Sequence, residues 1–294
     1  AQLRPTKVMY HRFADGANVK GDILVFESTD EMFTVGVGKS SDGEYILVRN
    51  HSKTEDETWF ISVRKSLELV EHTARSTTVG EDGGDSGNSS KPLDFSPLMQ
   101  CVRELQPNIE YSADHGAGAW WLKTKEGCAR DHFRVLRKRS AAPDAPEDDD
   151  FEVFLPEHPE LSLSSGVLVT KSYVGASYLS TASGQPKLFL YPADSADAAD
   201  AEKRKQQVFF PGVDPEQTSH DATFSHSCDY EEDRIVAALD TPERPTEWYR
   251  LPHFGAAASE MELLKRKEVP NYEPALYASK RVYVEYSEDP TAAL

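Results

Sequence analysis

The chain has 294 residues, of which 32 are Lys or Arg and 50 are Asp or Glu, so its net charge is −18. That balance argues against phosphate-driven nucleic-acid binding and against adhesion to an anionic membrane, and no apolar run reaches the roughly 18 residues a bilayer-spanning helix needs. Apolar content is only 38%, yet 13 Phe, 12 Tyr and 4 Trp supply enough large side chains to argue against global disorder.

Residues 1–7 lack the apolar centre of a signal peptide. The three cysteines, Cys101, Cys128 and Cys228, are too few and too scattered for a disulfide framework, which predicts a reducing, cytoplasmic setting.

Along the chain, an apolar run of six or seven residues is followed four times by a polar turn and a second, aromatic-rich run. The pairs are 44–50 with 57–63, 119–125 with 131–138, 167–173 with 186–192, and 234–240 with 246–252; a fifth first run lies at 280–286. β-branched and aromatic residues fill the runs and Gly, Ser, Asp and Pro fill the gaps, the composition of antiparallel hairpins.

Two steps between first runs carry biased inserts, at 76–91 (STTVGEDGGDSGNSSK) and 193–205 (ADSADAADAEKRK). With these set aside, the repeat is about 40–50 residues, which suits four-stranded propeller blades. Both inserts, and the acidic stretch 140–150 (SAAPDAPEDDD), are expected to be solvated loops because they can bury little apolar surface.

Inner runs such as Ala119-Trp120-Trp121-Leu122 are apolar on consecutive positions, as a sheet covered on both faces requires. The predicted fold is therefore all-β: a partial propeller of about five antiparallel four-stranded blades with long acidic or low-complexity insertions. It occupies 1–294 as one domain. The one stretch with a helical look, 256–267, reads as a short helix or a strand edge ended by Pro270.

Several segments carry a chemical suggestion. Gly36-Val37-Gly38-Lys39-Ser40 lacks the earlier glycine of a phosphate loop, since position 33 is Phe, and no helix pattern follows it. Gly84-Asp85-Ser86-Gly87 resembles a protease nucleophile segment but lies in a low-complexity insert without apolar flanks. No Gly-x-Ser-x-Gly elbow occurs, so no catalytic residue is assigned. His220, His226 and Cys228, with Asp221 and Asp229 nearby, form the best metal-ligand candidate, although Phe224, His226 and Cys228 on one strand face read more simply as a packed surface. The basic cluster Arg134, Arg137, Lys138 and Arg139 alternates with apolar residues and reads as a strand rather than an RNA surface. No cofactor is expected.

With the repeats laid out, collinear short segments become informative. Met9-Tyr10-His11-Arg12 precedes Asp22-Ile23-Leu24-Val25-Phe26-Glu27, then Asp30-Glu31-Met32-Phe33, Val35-Gly36-Val37 and Glu57-Thr58-Trp59. Tyr111-Ser112-Ala113-Asp114-His115 follows, and Leu264-Lys265-Arg266-Lys267-Glu268-Val269-Pro270 leads to Pro274, Tyr277, Ser279 and Arg281.

In this order the segments resemble the propeller region of the prolyl oligopeptidase family, most closely its oligopeptidase B (protease II) branch. The resemblance implies a serine peptidase whose triad lies in a following α/β-hydrolase domain. This chain is expected to begin inside the propeller and to stop where that domain would be entered, with Asp289-Pro290 in place of the family's Asp-Gly.

It further implies that the propeller restricts substrates to short peptides, cleaved after basic residues, with the hydrolase domain making the chemical contact. The chain alone is then expected to be inactive. The rival expectation is a non-catalytic propeller serving as a protein-interaction scaffold. Oligomeric state is open.

Overall fold

Trp120 and Trp121 are adjacent in the chain but belong to different interiors. Trp120 packs with Tyr45, Leu47 and Phe60, whereas Trp121 packs with Phe154, Val174 and Tyr191. Successive side chains on a strand point to opposite faces, so two neighbouring buried tryptophans require a sheet covered on both sides.

The computed structural model describes residues 4–16, 19–78, 93–130, 132–139, 151–215, 217–225, 227–254, 260–279 and 282. Strands β1 (Lys7–Tyr10) and β2 (Ile23–Glu27) form an antiparallel pair. Blade one comprises β3 (Thr34–Lys39), β4 (Tyr45–His51), β5 (Asp56–Ser62), helix α1 (Val63–Thr78) and β6 (Gln100–Arg103). Blade two follows as β7 (Tyr111–Gly116), β8 (Ala119–Thr124), β9 (Arg134–Arg139) and β10 (Glu152–Leu155).

Blade three is β11 (Leu161–Leu163) and β12 (Leu168–Val169), which together line one edge of β13 (Tyr173–Ser180), then β14 (Pro186–Pro192), α2 (Ala198–Arg204) and β15 (Gln206–Gln207). Blade four is β16 (Asp221–Phe224), β17 (Val236–Thr241), β18 (Arg244–Arg250) and β19 (Glu262–Arg266).

Each junction has its own apolar interior. Tyr45, Leu47 and Phe60 of blade one meet Ala113, Trp120 and Leu122 of blade two. Trp121, Val135 and Phe154 meet Val174, Phe189 and Tyr191 of blade three. Leu188 and Leu190 meet Ala237, Leu239 and Tyr249 of blade four. The β1–β2 pair packs Tyr10, Ile23 and Val25 on Ile61 and Phe95. Strand β14 shows the principle compactly, sending Leu188 and Leu190 one way and Phe189 and Tyr191 the other.

Three of the four expected hairpins form, as β4–β5, β8–β9 and β17–β18. The third is displaced. The run 167–173 is not one strand but an inner strand and a turn, with the Thr170 amide donating to the Tyr173 carbonyl at 2.9 Å. The strand paired with Pro186–Pro192 is therefore β13. Of stretch 256–267, residues 262–266 form the edge strand β19, and 256–259 lie outside the described residues. The fifth run, 280–286, lies outside the described residues apart from Val282.

Two helices depart from the all-β expectation. In α1, Leu69 and Val70 pack against Ile61, Leu93 and Phe95. Residues 193–205, expected to be a solvated loop, instead carry α2. Asp197 accepts from the Asp200 amide at 2.9 Å as its N-cap, while Ala201 packs into the junction between blades two and three.

The alanines of this segment are small enough to let backbone approach the blade, and Arg137 supplies the donors its carbonyls need. Arg137 is 1% exposed and donates to the carbonyls of Ala193, Ser195 and Ala196 at 2.7–3.2 Å, with Glu152 as its ionic partner. Of the insert 76–91, residues 76–78 end α1 and the remainder lies outside the described residues, as does 140–150.

In an antiparallel blade the 1–2 and 3–4 connections leave on one face of the ring and the rest on the other. The long stretches 63–99, 140–151, 193–205 and 251–261 all join a third strand to a fourth. Their bounding strand ends therefore lie on the same face.

Candidate functional site

The first strands of the blades converge on a cavity of about 1180 Å³, lined by residues of β3, β7, β12 and β16, by Arg49 of β4 and Lys123 of β8, by the segments after β3 and β16 and by the segment just before β12. Inner strands have one neighbour only, so their free edges and alternate side chains necessarily face this space. The wall is strongly charged: Lys39, Arg49 and Lys123 share it with Asp42, Asp114 and Asp229.

The Tyr111–His115 segment supplies its most ordered part. Tyr111 sits at the start of β7, where its hydroxyl donates to the Arg103 carbonyl at 2.5 Å and accepts from the Thr58 amide at 2.6 Å, tying blade two to blade one. Burial drives its phenol strongly toward the neutral form.

Three residues on, Asp114 reaches the β3–β4 turn. It accepts from the Ser41 amide at 2.9 Å and from the Ser41 hydroxyl at 2.6 Å. His115 Nδ1 lies 2.5 Å from an Asp42 carboxylate oxygen, and the ring is 3% exposed. Its other nitrogen, Nε2, is buried without a hydrogen-bond partner in the structure, and the ring lies edge-on to Tyr45 and Trp120.

The two carboxyl groups are tuned apart. Burial works to raise Asp42, but hydrogen bonds from His115, Ser40 and the Glu44 amide outweigh it and hold the carboxyl below its ordinary range. For Asp114 burial prevails over the bonds from Ser41, and its carboxyl lies above that range. Lys123 is also desolvated, which pushes its amine down to about 8 against the attraction of Glu110.

A second serine–aspartate grip occurs between blades four and three, where Asp233 accepts from the Ser172 amide at 2.8 Å and its hydroxyl at 2.7 Å. Nearby, the Tyr230 hydroxyl accepts from the Ala117 amide at 2.8 Å, reaching past blade three to blade two. Gly116 is required at that crossing. A Cβ there would stand 2.8 Å from Val169 Cγ1 and 3.0 Å from the Tyr230 ring.

Two of the three metal candidates, His220 and Cys228, flank β16 at opposite ends. His220 lies just before β16, with Nδ1 2.9 Å from the Thr218 carbonyl. Cys228 lies beyond the other end of that strand, its sulfur 3.1 Å from the Ser225 carbonyl and accepting from the Val236 amide. His226 is outside the described residues.

Asp42, Glu44 and His115 do bring ligand atoms within 4.8 Å of one another. That donor set is already committed, because the close Asp42–His115 contact and the bonds from Ser40 and Glu44 occupy the carboxylate. Ser86, of the nucleophile-like segment, also lies outside the described residues. Arg134, Arg137 and Arg139 form β9, as the alternation suggested, and the Arg137 side chain points into the blade two–three junction.

Sequence reasoning found Tyr111, Asp114 and His115 as a motif but missed their partners Ser41 and Asp42. It also missed Tyr230, Asp233 and Lys123. Ser41-Asp42-Gly43 read only as a turn, since nothing local tells a turn serine that its acceptor lies 73 residues away.

Comparisons with known proteins follow the same architecture. A family model described as the N-terminal β-propeller domain of prolyl oligopeptidase matches residues 2–227. Protease 2 of Moraxella lacunata is 30% identical over 134 residues, an alignment covering 46% of this chain and 15% of that protein.

Oligopeptidase B of Trypanosoma brucei, solved in a closed form with covalently bound antipain, superposes with a TM-score of 0.66 at 18% identity, covering 92% of this chain and 32% of that one. Oligopeptidase B of Leishmania major gives 0.65 at 17%, covering 93% of this chain and 32% of that one. The chain thus spans about a third of the length of these solved relatives.

Proposed function

Because the chain belongs to the prolyl oligopeptidase family, through its N-terminal β-propeller domain, we propose that it forms the substrate-admitting part of an oligopeptidase B-like serine peptidase, with the whole described chain acting as propeller. The observation that carries this reading is the cavity of about 1180 Å³ framed by the first strands of four blades. A passage bounded by strand edges admits an extended peptide and excludes a folded domain on size alone.

The net charge of −18 attracts cationic peptides at long range, which suits cleavage after Arg or Lys. The triad chemistry is assigned to a hydrolase domain of the kind that follows the propeller in this family. None of the described residues is given a catalytic role.

Two assays test the reading. Fluorescence anisotropy should show labelled Arg- and Lys-containing peptides of a few residues binding this chain, and a folded basic domain of similar charge failing to compete. Equal competition by the folded domain would overturn the size filter. In the second assay, this chain should not hydrolyse such peptides; turnover sensitive to a serine-directed inhibitor would move the chemistry into these 294 residues.

A second reading, a propeller scaffold for protein partners, is favoured by one feature. The strand ends that bound the long third-to-fourth-strand connections lie on one face, as a docking platform would need.

A further inference from the structure

Lys123 is the one lysine of the cavity wall that is almost wholly enclosed, at 9% exposure. It lies on β8 directly across the ladder from Ser112, and its Nζ sits 4.0 Å from the centre of the Phe133 ring. Among the described residues it forms neither a hydrogen bond nor an ion pair with a carboxylate. Its neighbour Lys125 differs, holding Glu110 at 2.7 Å while lying 5.1 Å over the same ring. Glu110 is therefore engaged by Lys125, and Glu126, the acidic residue nearest in sequence, by Arg103 at 2.6 Å, while a ring face stabilises the ammonium far less than a paired carboxylate would.

We propose that Lys123 is a covalent modification site, at which its enclosed amine in the cavity wall condenses with small uncharged aldehydes. The amine adds to the carbonyl carbon, forming the C–N bond. Both nitrogen-bound protons pass to the oxygen, the C–O bond breaks and the oxygen leaves as water, so the C=N bond forms without oxidant or reductant. A small uncharged electrophile fits because the wall presents small side chains at Ser112, Ala113 and Ser164, and its charges are of both signs, favouring neither an anion nor a cation.

The acid–base balance agrees with the geometry. Burial lowers the amine to about 8; Glu110 and Asp56 draw it up and Lys125 pushes it down, without cancelling the desolvation. Desolvated lysines of this kind are the ones that form Schiff bases.

The test is reductive labelling of the intact chain with propionaldehyde and cyanoborohydride between pH 6 and 9.5, followed by peptide mapping. At pH 8 Lys123 should take label roughly five- to tenfold faster than the exposed Lys53. Its rate should level off above about pH 8.

The variant Lys123→Arg should lose the fast phase with all other sites unchanged. Labelling of Lys123 no faster than Lys53 at every pH would overturn the proposal, as would a fast phase that survives in Lys123→Arg. Because the wild-type map already decides the question, a poorly folding variant leaves the proposal exposed to refutation.

Discussion

At the Asp42–His115 contact a buried carboxylate and a buried imidazole lie 2.5 Å apart, and the energetic consequence depends on which partner is removed. Asp42→Asn leaves His115 enclosed with neither nitrogen facing a charge, and should cost about 3 kcal/mol in urea unfolding near neutral pH. The carboxyl of Asp42 is depressed in the fold, so its contribution is complete above the unfolded value of about 3.9 and disappears as the pH falls through the lower folded value. The gap between wild type and Asp42→Asn should therefore narrow on acidification. A gap that widens below pH 4 would contradict the assignment. Gly116→Ala offers a purely steric counterpart. Its Cβ meets Val169 and Tyr230 at or below 3.0 Å, and overpacking of this kind typically costs about 1–3 kcal/mol, readable as a lower melting temperature. Neither partner set was legible in the sequence. Asp114 and His115 stood out as a motif, but Ser41, Asp42 and Val169 meet them only because adjacent blades press together.

Strands were more legible than helices, for a reason visible in β8 and α2. In β8 every residue from Ala119 to Thr124 is buried, and the unbroken apolar start of that run announced a strand covered on both faces. In α2 the information is of a different kind. Ala198-Ala199-Asp200-Ala201 contains no large apolar residue, so composition alone reads as solvated chain. Order comes from Asp197 at the cap and from Arg137, which lies on another blade strand. Two variants separate these contributions. Asp197→Ala should cost about 1 kcal/mol, the usual loss of an N-cap. Arg137→Met should cost about 3 kcal/mol or more, since it leaves the Ala193 and Ala196 carbonyls without their side-chain donor, Ser195 with Arg139 alone, and Glu152 with only a 3.9 Å contact to Arg139. Hydrogen exchange would locate the effect: amides of 198–204 should lose protection in Arg137→Met while those of β4 and β5 keep theirs. In α1 a signal was present but faint, with Ser66, Leu69, Val70 and Thr73 recurring at three- and four-residue intervals against an otherwise polar sequence.

Over the whole molecule, the apolar interior is divided into separate cores, one per junction, and mutational effects should respect the divisions. Leu122 serves the interface of blades one and two, and Leu239 that of blades three and four. Truncation of either to Ala should cost about 3 kcal/mol, and the double variant should equal their sum to within about 0.5 kcal/mol. Strong coupling in that cycle would mean that the junctions yield as one unit. The serine grips carry this modularity into the chain's history. Asp114 holds Ser41 and Asp233 holds Ser172 through the same amide-and-hydroxyl pair, so the two acceptors are chemically equivalent. Splicing residue 41 directly to residue 173 would present an identical partner to Asp233 while removing two blades' worth of backbone. Unequal recombination between turns can therefore shorten or lengthen such a ring without inventing a new joint.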